Sequence, residues 1–395
     1  MPAFAAVSAA LTLFFLLLLL ERLLLQQLRK CFSLVIHVNG TRGKSTVTRM
    51  IHALLRQQGM EVFAKTTGSA PRFLLPNGTE KTIKRLGPAN IREQRNIMLL
   101  SAIMRKEKNT ALVFECNAIE KELQSISIKW LKPDINIITN VREDHRAELG
   151  NAENAASIFA GAINSNSVLI TGDKKFIDLW EKTAEEKELK LFCNKDDDVL
   201  SRPSGQAFPE NIYCLLSIAE YLGIEKEEAL KSIEEHSKDE GAYREYSWEL
   251  SRKNPAQIIF ADARAANDTE STLLLLKSAY KKTIEEKSIK RILLLINRKD
   301  RPDRTMDFMQ LLIKLSQKEE DIIHFDDILV LGHNPIFFNK KLKTNGINYK
   351  TVKNIKMLNT ILEKTQEKNI LIFAMGNYGG HGKEVSRWLK ENYES

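Results

Sequence analysis

Residues 37–46 read His37-Val38-Asn39-Gly40-Thr41-Arg42-Gly43-Lys44-Ser45-Thr46. An apolar run from Phe32 to Val38 precedes them, and apolar residues at helical spacing follow from Val47 to Leu55. This pattern predicts a strand, a glycine-containing loop and a helix, and the N–H groups at such a helix start can hold phosphate. Lys44 adds a positive charge for the outer phosphates, and Ser45 adds a hydroxyl for Mg²⁺. We therefore predict that this loop binds the phosphates of a nucleotide.

The spacing of the loop differs from the usual phosphate-binding pattern, in which a glycine stands six residues before the lysine. Val38 occupies that position here, and Gly40 lies four residues before Lys44. The alternative is a glycine-rich turn with a solvated lysine, but strand, glycines, lysine, serine and helix in register favour the binding loop. The short form resembles the loop of the Mur-type ATP-dependent amide ligases, although Arg42 stands where many of them have asparagine.

The composition limits the classes of partner. The chain has 395 residues, enough for two domains, and its net charge of +8 is spread over many helical faces. The charge indicates either solubility or attraction to an anionic membrane surface or a polyanionic substrate. An RNA-binding signature and an arginine-rich arm are both absent from the sequence, so we expect no nucleic-acid partner. The four cysteines form no CxxC pair, and their spacing predicts neither a metal site nor disulfides.

The N-terminal segment predicts a membrane anchor over residues 1–30. Ala3 to Leu20 is a run of 18 uncharged residues. As a helix it would be about 27 Å long, close to the thickness of a hydrocarbon core. Basic residues follow this run and none precedes it, so the positive-inside rule predicts a single-pass protein of the cell membrane with cytoplasmic catalytic domains. A cleaved signal peptide is the alternative, but the segment lacks a basic start and a small-residue cleavage site.

After residue 30, short apolar strands alternate with helices, which predicts an α/β fold with parallel sheets covered on both faces. We predict an ATP-binding domain over residues 31–240 and a smaller Rossmann-like α/β domain over residues 241–395. The predicted strands are 32–38, 61–66, 111–114, 135–138, 167–171, 189–192, 257–261, 291–296, 327–331 and 369–374. The predicted helices are 44–58, 90–106, 209–222, 226–236, 268–281, 303–317, 355–368 and 383–392, and segment 71–88 is predicted to be a loop.

Polar residues stand where several predicted strands end, and ligands of open parallel sheets bind beyond these ends. In the first domain these residues are Glu115, Asn140, Asp144 and His145, whose oxygen and imidazole groups could hold Mg²⁺ near phosphates bound at Lys44. Taken singly, Glu115 could be a solvated strand end and His145 a hydrogen-bonded loop residue. Their shared location favours a site.

Similar groups follow the strands of the second domain, at Asp262 to Asp268, Asn297 to Arg304 and Gly376 to Gly382. Carboxylates there could bind ribose hydroxyls, and arginines could neutralise phosphate or carboxylate charge. For Asp300 to Arg304 the alternative is a solvated loop that caps the next helix, and for Gly379 to Gly382 it is a plain turn.

Taken in order, these motifs resemble one family closely. They are His37 to Thr46, Lys65 to Gly68, Gly87 to Gln94, Glu115-Cys116, Asn140 to His145, Gly241 to Arg244, Ala265 to Thr272, Asn297 to Arg304 and Gly376-Asn377. The chain resembles the ligase subunits of poly-γ-glutamate synthases, the capsule-synthesis relatives of the Mur ligases and folylpolyglutamate synthase. The resemblance runs from about Phe32 to the C-terminus and implies a Mur-ligase-like ATP-binding domain followed by a smaller α/β domain.

The resemblance implies an ATP-dependent amide ligase that polymerises glutamate into poly-γ-glutamate through an acyl phosphate, with ATP and Mg²⁺ as cofactors. It implies that Lys44, Glu115 and His145 are catalytic and that Ser45, Glu115 and His145 hold the metal. The nucleotide-binding residues that it implies are Gly40, Thr41, Arg42, Gly43, Lys44, Ser45, Thr46, Arg244, Asn267, Asn297, Asp300 and Arg301. Our candidates for substrate contacts are Arg72, Asn90, Gln94 and Arg304.

The implied partners are glutamate, the growing polymer and integral-membrane synthase subunits, and a homo-oligomer is left open. Two other functions also stay open. A folylpolyglutamate synthase-like ligase would share the chemistry, but its soluble substrate needs no membrane anchor. A membrane-tethered P-loop ATPase or regulator would hydrolyse ATP without forming an amide.

Overall fold

A computed structural model describes residues 2–67, 71–85, 87, 90–144, 146–194, 208–235, 243–250, 256–266, 268–283, 288–317 and 323–393 of the chain. The chain divides into two compact units, which we call unit 1 (Met1–Glu240) and unit 2 (Gly241–Ser395). Each unit is built on one sheet whose strands are mostly parallel. The predicted α/β fold class, with two sheet-containing domains, is confirmed.

The sheet of unit 1 has eight strands. They are β1 (Leu34–Asn39), β2 (Glu61–Thr66), β3 (Arg72–Leu74), β4 (Glu80–Thr82), β5 (Thr110–Glu115), β6 (Ile135–Ile138), β7 (Val168–Thr171) and β8 (Lys190–Phe192). Their order is β4-β3-β2-β5-β1-β6-β7-β8. The strands β2, β5, β1, β6, β7 and β8 pair in parallel, whereas β3 pairs antiparallel with both β2 and β4. The carboxyl ends of the parallel strands therefore meet at one edge, the carboxyl edge, and their amino ends meet at the opposite, amino edge.

The helices of unit 1 are α1 (Pro2–Arg29), α2 (Lys44–Gln57), α3 (Arg92–Met104), α4 (Lys121–Leu131), α5 (Arg146–Leu149), α6 (Ala152–Ala162), α7 (Ile177–Lys187), α8 (Pro209–Leu222) and α9 (Lys226–Glu235). Alternate residues of β1 reach two different cores. Ile36 and Val38 pack with residues of α2 and α8, whereas Val35 packs with residues of α3 and α4. Because both faces are covered, the central strands are mostly apolar on both faces rather than alternating between apolar and polar residues.

Unit 2 contains the strands β9 (Arg244–Glu249), β10 (Gln257–Asp262), β11 (Ile289–Asn297), β12 (Asp327–Gly332), β13 (Lys350–Val352) and β14 (Asn369–Gly376). Its helices are α10 (Thr269–Lys281), α11 (Pro302–Ser316), α12 (Ile336–Thr344), α13 (Ile355–Glu363) and α14 (His381–Tyr393). The strand order is β13-β12-β11-β14-β10-β9. Only β9 runs antiparallel, beside β10, in this described sheet.

The segment predicted to be a loop, 71–88, contains two strands. β3 and β4 pair antiparallel with each other, and β3 pairs antiparallel with β2. A tight turn joins them, in which Leu75 N–H donates to Thr79 O and Gly78 N–H to Leu75 O, both at 2.9 Å. The prediction failed because three-residue strands show too little alternation, and their pairing with the edge of β2 is a tertiary effect. The strands β9 and β13 were also not predicted, and they too are strands through pairing with a neighbour, β10 and β12 respectively.

α1 is one continuous helix of 28 residues. Its segment Ala6–Arg29 is the one helix in the described ranges that is long and apolar enough to cross a membrane. The side chains of the apolar part are exposed, but Leu25 and Leu28 are buried. The end of the predicted anchor segment is therefore part of the core of unit 1.

A single carboxylate joins the end of α1 to the sheet. Arg29 donates hydrogen bonds to Asp134 Oδ1 at 2.6 Å and to Lys132 O at 2.9 Å. Asp134 Oδ2 accepts a further hydrogen bond from Val35 N–H at 2.7 Å. Since Asp134 directly precedes β6 and Val35 lies in β1, this contact fixes the helix to the amino edge.

We expect Asp134→Ala to lower the free energy of unfolding by about 1–3 kcal/mol, because the N–H of Val35 and the guanidinium of Arg29 lose their acceptor. Calorimetric melting of the detergent-solubilised protein measures the change. Glu122→Ala, which removes an exposed carboxylate from α4, is the control. Equal melting temperatures for the two variants would contradict the role of Asp134.

Candidate active site

The loop between β1 and α2 lies at the carboxyl edge of unit 1, and two glycines shape it. Gly40 has a φ of 121° and Gly43 a φ of 81°, a range that residues with a Cβ rarely adopt. A Cβ on Gly40 would lie 2.3 Å from Thr139 Oγ1, and one on Gly43 would lie 1.9 Å from Asn211 Oδ1. Both positions therefore require glycine for backbone conformation and for close packing.

Residues that follow β6 hold the backbone of this loop. Thr41 N–H donates to Asn140 O at 2.9 Å, and Arg42 N–H donates to Asn140 Oδ1 at 3.0 Å. Thr139 Oγ1 donates to Arg42 O at 2.6 Å. These bonds occupy two N–H groups inside the loop. The N–H groups at the start of α2 have no intrahelical acceptors, and they can bind an anion.

Two basic side chains lie in the loop. Lys44 Nζ donates to Gly40 O at 2.7 Å and to Thr41 O at 3.1 Å. Burial lowers the pKa of Lys44, and the negative charge of Glu115 opposes this shift. Arg42 forms an ion pair with Asp144, in which Arg42 Nη2 lies 3.0 Å from Asp144 Oδ2. Arg42, which stands where many Mur-type ligases have asparagine, therefore connects the loop to the segment after β6.

Glu115, at the end of β5, accepts hydrogen bonds from two sides. Ser45 Oγ donates to its Oε2 at 2.7 Å. Thr67 donates its N–H to Oε2 at 2.7 Å and its hydroxyl to Oε1 at 2.6 Å. With Glu115 only 3% exposed, this buried carboxylate joins the start of α2, the end of β5 and the residue after β2.

Ser45 and Glu115 were predicted metal ligands, and the structure brings their oxygens together. Carboxylate and hydroxyl oxygens are hard donors of the kind that Mg²⁺ and Mn²⁺ prefer, so these two residues fit a divalent metal. The third predicted ligand, His145, lies outside the described residues. Within the described ranges, no group of three or more His, Cys, Asp or Glu side chains could hold a metal ion.

The substrate candidates of unit 1 lie in different surroundings. Asn90 precedes α3, and its carbonyl accepts a hydrogen bond from Asn117 Nδ2 at 3.0 Å, close to the end of β5. Arg72 begins β3, in register with Thr66 at the end of β2. Gln94 is 1% exposed and faces the interior between α3 and α4.

Behind the loop, a chain of hydrogen bonds connects β1, α4 and α3. Ser127 Oγ donates to Gln94 Oε1 at 3.0 Å, and His37 Nε2 lies 3.0 Å from Ser127 Oγ. Because Ser127 uses its proton for Gln94, His37 is the donor and carries its hydrogen on Nε2. Burial, with the charge of Lys65 as a smaller cause, lowers the pKa of His37 to about 3.

The candidates of unit 2 lie at the carboxyl edge of their own sheet. Asn297 ends β11, is 1% exposed, and has no hydrogen-bond partner for either side-chain atom among the described residues. Such a buried amide is a candidate for a ligand contact because its unmade bonds cost free energy. Arg298 donates to both carboxylate oxygens of Asp300, at 2.9 and 2.6 Å, and this lowers the pKa of Asp300.

The other candidates of unit 2 stand at the starts of secondary structure elements. Arg301 is the residue before α11, and Arg304 lies in the first turn of that helix. Arg244 begins β9, opposite Asp262 of β10. Asn267 lies outside the described residues.

Three polar residues at these edges were not among the predicted site residues, the half-buried Thr67 and the buried Asn211 and Arg264. Asn211 packs against Gly43 from α8, and its Oδ1 has no partner among the described residues. Arg264 is 1% exposed and donates two hydrogen bonds of 2.7 Å to Asp262 and one of 3.0 Å to Ser386 of α14. For Asn211 the available signal was an amide within an otherwise apolar helical run.

Two family models match the chain, and together they span both units. The Mur ligase middle domain matches residues 38–202, and the poly-gamma-glutamate synthase CapB C-terminal domain matches residues 248–392. The PGA synthase CapB of Bacillus subtilis (strain 168) is 29% identical over 370 residues, 90% of this chain and 90% of that protein. The chain belongs to the CapB family of the Mur ligase superfamily. The resemblance seen in the sequence motifs is thereby confirmed.

A second CapB relative matches over a smaller part of its length. The capsule biosynthesis protein CapB of Bacillus anthracis is 32% identical over 282 residues, 69% of this chain and 59% of that protein. Membership of the CapB family and of the Mur ligase superfamily makes the chain an ATP-dependent amide-bond ligase, as predicted.

Solved structures share the fold. MurF from Acinetobacter baumannii has a TM-score of 0.62 at 15% identity, covering 94% of this chain and 79% of its own. E. coli FolC in complex with ADP has a TM-score of 0.59 at 15% identity, covering 93% and 92%. The folylpolyglutamate synthase/dihydrofolate synthase of Yersinia pestis, complexed with AMPPNP and Mn ion, has a TM-score of 0.62 at 12% identity, again covering 93% and 92%.

The depressed pKa of His37 predicts a pH-dependent stability. In the unfolded chain this histidine binds a proton near its ordinary pKa of 6.5, whereas in the folded protein it binds one only near pH 3. The free energy of unfolding should therefore fall as the pH drops below about 6.5, by up to about 1.4 kcal/mol per pH unit. We expect His37→Gln, which can keep a donor toward Ser127, to flatten this slope between pH 6 and pH 4, without abolishing it because His52 has a pKa of about 4.

Urea unfolding at a series of pH values measures this slope. His324→Gln, at a histidine whose side chain is 79% exposed, is the control and should leave the slope unchanged. A slope in His37→Gln equal to that of the unsubstituted protein would contradict a buried, neutral His37.

Proposed function

We propose that this CapB-family chain adds glutamate to poly-γ-glutamate at the expense of ATP. The observation that carries the proposal is the set of contacts at Glu115, which joins the phosphate loop through Ser45 and the end of β2 through Thr67. The names of the relatives support the substrate, since the B. subtilis protein is a PGA synthase. The complexes of FolC-like neighbours with ADP, and with AMPPNP and Mn ion, support ATP and a divalent metal.

The proposed reaction has two steps. A carboxylate oxygen of the polymer end, or of the first glutamate, attacks the γ-phosphorus of ATP. The bond from this phosphorus to the β–γ bridging oxygen breaks, giving ADP and an acyl phosphate. The deprotonated amine of the next glutamate then attacks the acyl carbon. The bond between that carbon and the phosphate oxygen breaks, phosphate leaves, and the nitrogen loses a proton as the amide forms.

The residues of the phosphate loop have distinct roles in this proposal. The N–H groups at the start of α2 and the ammonium of Lys44 bind phosphate oxygens and stabilise negative charge during phosphoryl transfer. Lys44 already lies over the loop through its bonds to Gly40 and Thr41. The contacts of Asn140 and Asp144 with the loop support its shape, so little reorganisation is needed when the nucleotide binds.

Ser45 and Glu115 would hold the divalent metal, Mg²⁺ in our proposal, with His145 as a further ligand. The bound cation would neutralise charge on the phosphate oxygens. In unit 2 we propose Arg244, Asn267, Asn297, Asp300 and Arg301 as nucleotide contacts. Arg72, Asn90 and Arg304 remain candidates for the substrate, and so does Gln94, although it is buried against Ser127.

We also propose that α1 is an uncleaved membrane anchor and that both units are cytoplasmic. Support comes from the end of the helix, where Leu25 and Leu28 are buried and Arg29 binds Asp134. The apolar residues from Ala6 to Leu20 are exposed, as expected for side chains that contact lipid. The proposed partners are the polymer, which the net charge of +8 would attract, and integral-membrane synthase subunits.

We expect Lys44→Ala to reduce glutamate-dependent phosphate release by about 10²–10³-fold, because one charged donor to the transferred phosphoryl group is lost. The assay uses detergent-solubilised protein with ATP, a divalent metal and L- or D-glutamate, and mass spectrometry identifies the γ-linked product. Lys129→Ala, at an exposed position of α4, is the matched control and should keep full activity.

Phosphate release that does not depend on glutamate and gives no γ-linked product, even after co-expression with membrane subunits, would overturn the ligase proposal. That result would favour the tethered ATPase. Product formation on a folate rather than on glutamate would favour the folylpolyglutamate synthase-like alternative.

A further inference from the structure

The direction in which α1 leaves unit 1 follows from contacts at its two ends. The C-terminal end of the helix lies at the amino edge of the sheet. Arg29 binds Asp134, which directly precedes β6. Ser33, just after the helix, donates its N–H to O of Thr110 at the start of β5, at 2.9 Å.

The middle of α1 lies toward the opposite edge. Glu21 forms an ion pair with Arg95 in the first turn of α3. That turn belongs to the carboxyl edge. Asn90, just before α3, binds Asn117 beyond the end of β5, and Glu93 lies 3.1 Å from Lys65, the penultimate residue of β2.

α1 therefore runs antiparallel to β1, from the carboxyl edge toward the amino edge. β1 rises about 17 Å from Leu34 to Asn39 at the usual strand spacing. A helix covers the same distance in about 11 residues, which is the interval from Arg29 back to Leu18. The uncharged part of α1 before Leu18 thus projects past the edge that carries the phosphate loop.

The projecting part has the properties of a lipid-facing helix. Ala3 to Leu20 contains no charge, and its large side chains, such as Phe15 (65%) and Leu20 (53%), are exposed. Exposed basic residues stand near the level of the Glu21–Arg95 pair, on α1, on α3 and in the segment before α3: Arg22, Arg92 and Lys84. Cations at this level suit the anionic headgroups of a cytoplasmic leaflet.

We infer that unit 1 is held with its phosphate-loop edge facing the lipid bilayer and its amino edge facing the cytoplasm. The inference rests on the proposed function of α1 as a membrane anchor and adds an orientation to it. The lipid surface is the partner of the face formed by Arg22, Lys84 and the first turn of α3. The phosphoryl-transfer edge is thereby turned toward the membrane.

Energy transfer to the membrane surface tests this orientation. A donor dye is attached through p-azidophenylalanine that replaces either Arg92 or Lys108 in the full chain, reconstituted into nanodiscs whose lipids carry an acceptor on the headgroup. The two positions are matched because both are exposed, and they lie toward opposite edges of the sheet: Arg92 begins α3, and Lys108 follows the end of α3 close to Glu61 at the start of β2. From Arg92 to its last residue, Met104, α3 is about 18 Å long, so we expect clearly higher transfer from position 92 than from position 108.

The reverse order, or equal transfer from both positions, would overturn the proposed orientation. Loss of transfer at both positions in Leu13→Arg/Leu17→Arg would show that insertion of α1 produces the signal. Absence of transfer from either position in the unsubstituted helix, with a second copy or another protein covering α1, would overturn the lipid assignment.

Glutamate-dependent phosphate release is measured in the same samples. If it persists while the transfer order is reversed, the orientation fails and the ligase proposal stands. If the transfer order is as expected but γ-linked product is absent even when the membrane subunits are co-reconstituted, the ligase proposal fails and the orientation stands.

Discussion

The site of unit 1 depends on the hydrogen bonds that the buried carboxylate of Glu115 accepts. A carboxylate that is 3% exposed is stable only if donors replace the water that it has lost. Ser45 and Thr67 supply them, from the start of α2 and from the residue after β2. They can do so because the strand order β2-β5-β1 places the ends of these three strands side by side. The strand order of the sheet therefore determines which residues meet at the site.

The backbone of the phosphate loop is likewise held in place by residues from other elements of unit 1. Gly40 and Gly43 adopt left-handed φ values with Thr139 and Asn211 directly behind them. The loop is therefore held from the side of β6 and from α8, and Asn140 occupies the N–H groups of Thr41 and Arg42. A loop that is braced in this way is preorganised, and preorganised donors of the kind that we propose here stabilise developing charge most effectively.

In unit 2, hydrogen-bond partners distinguish the buried polar residues with a structural role from those that are candidates for binding a ligand. Arg264 donates hydrogen bonds to Asp262 and to Ser386 of α14, so these internal hydrogen bonds are enough to explain the buried pair. Asn297 is equally buried, but neither atom of its amide has a partner among the described residues. Asn297 is therefore the better candidate for a ligand contact, because burying an amide without hydrogen-bond partners costs free energy.

Much of the fold followed from local patterns, and the missed strands have a common cause. The apolar runs of β2 and β6 and the helical run of α8 have the predicted bounds, because a run of buried residues is visible in the sequence. β3, β4 and β9 were missed because pairing with a neighbouring strand, rather than their own composition, makes them strands. Among the site residues, glycine spacing indicated the phosphate loop, but no local signal indicated that Gln94 faces Ser127 in the interior.

By itself, the sequence determined the strand–glycine loop–helix at Gly40 to Ser45, the alternation of strands and helices, and the apolar segment of α1, since each depends on residues that are close together in the chain. Only the tertiary structure decided that Glu115 meets Ser45 and Thr67, and that α1 leaves unit 1 past its carboxyl edge. These features depend on strand order and on contacts such as Arg29 with Asp134 and Glu21 with Arg95. Such contacts join residues that are far apart in the chain, so local spacing cannot encode them.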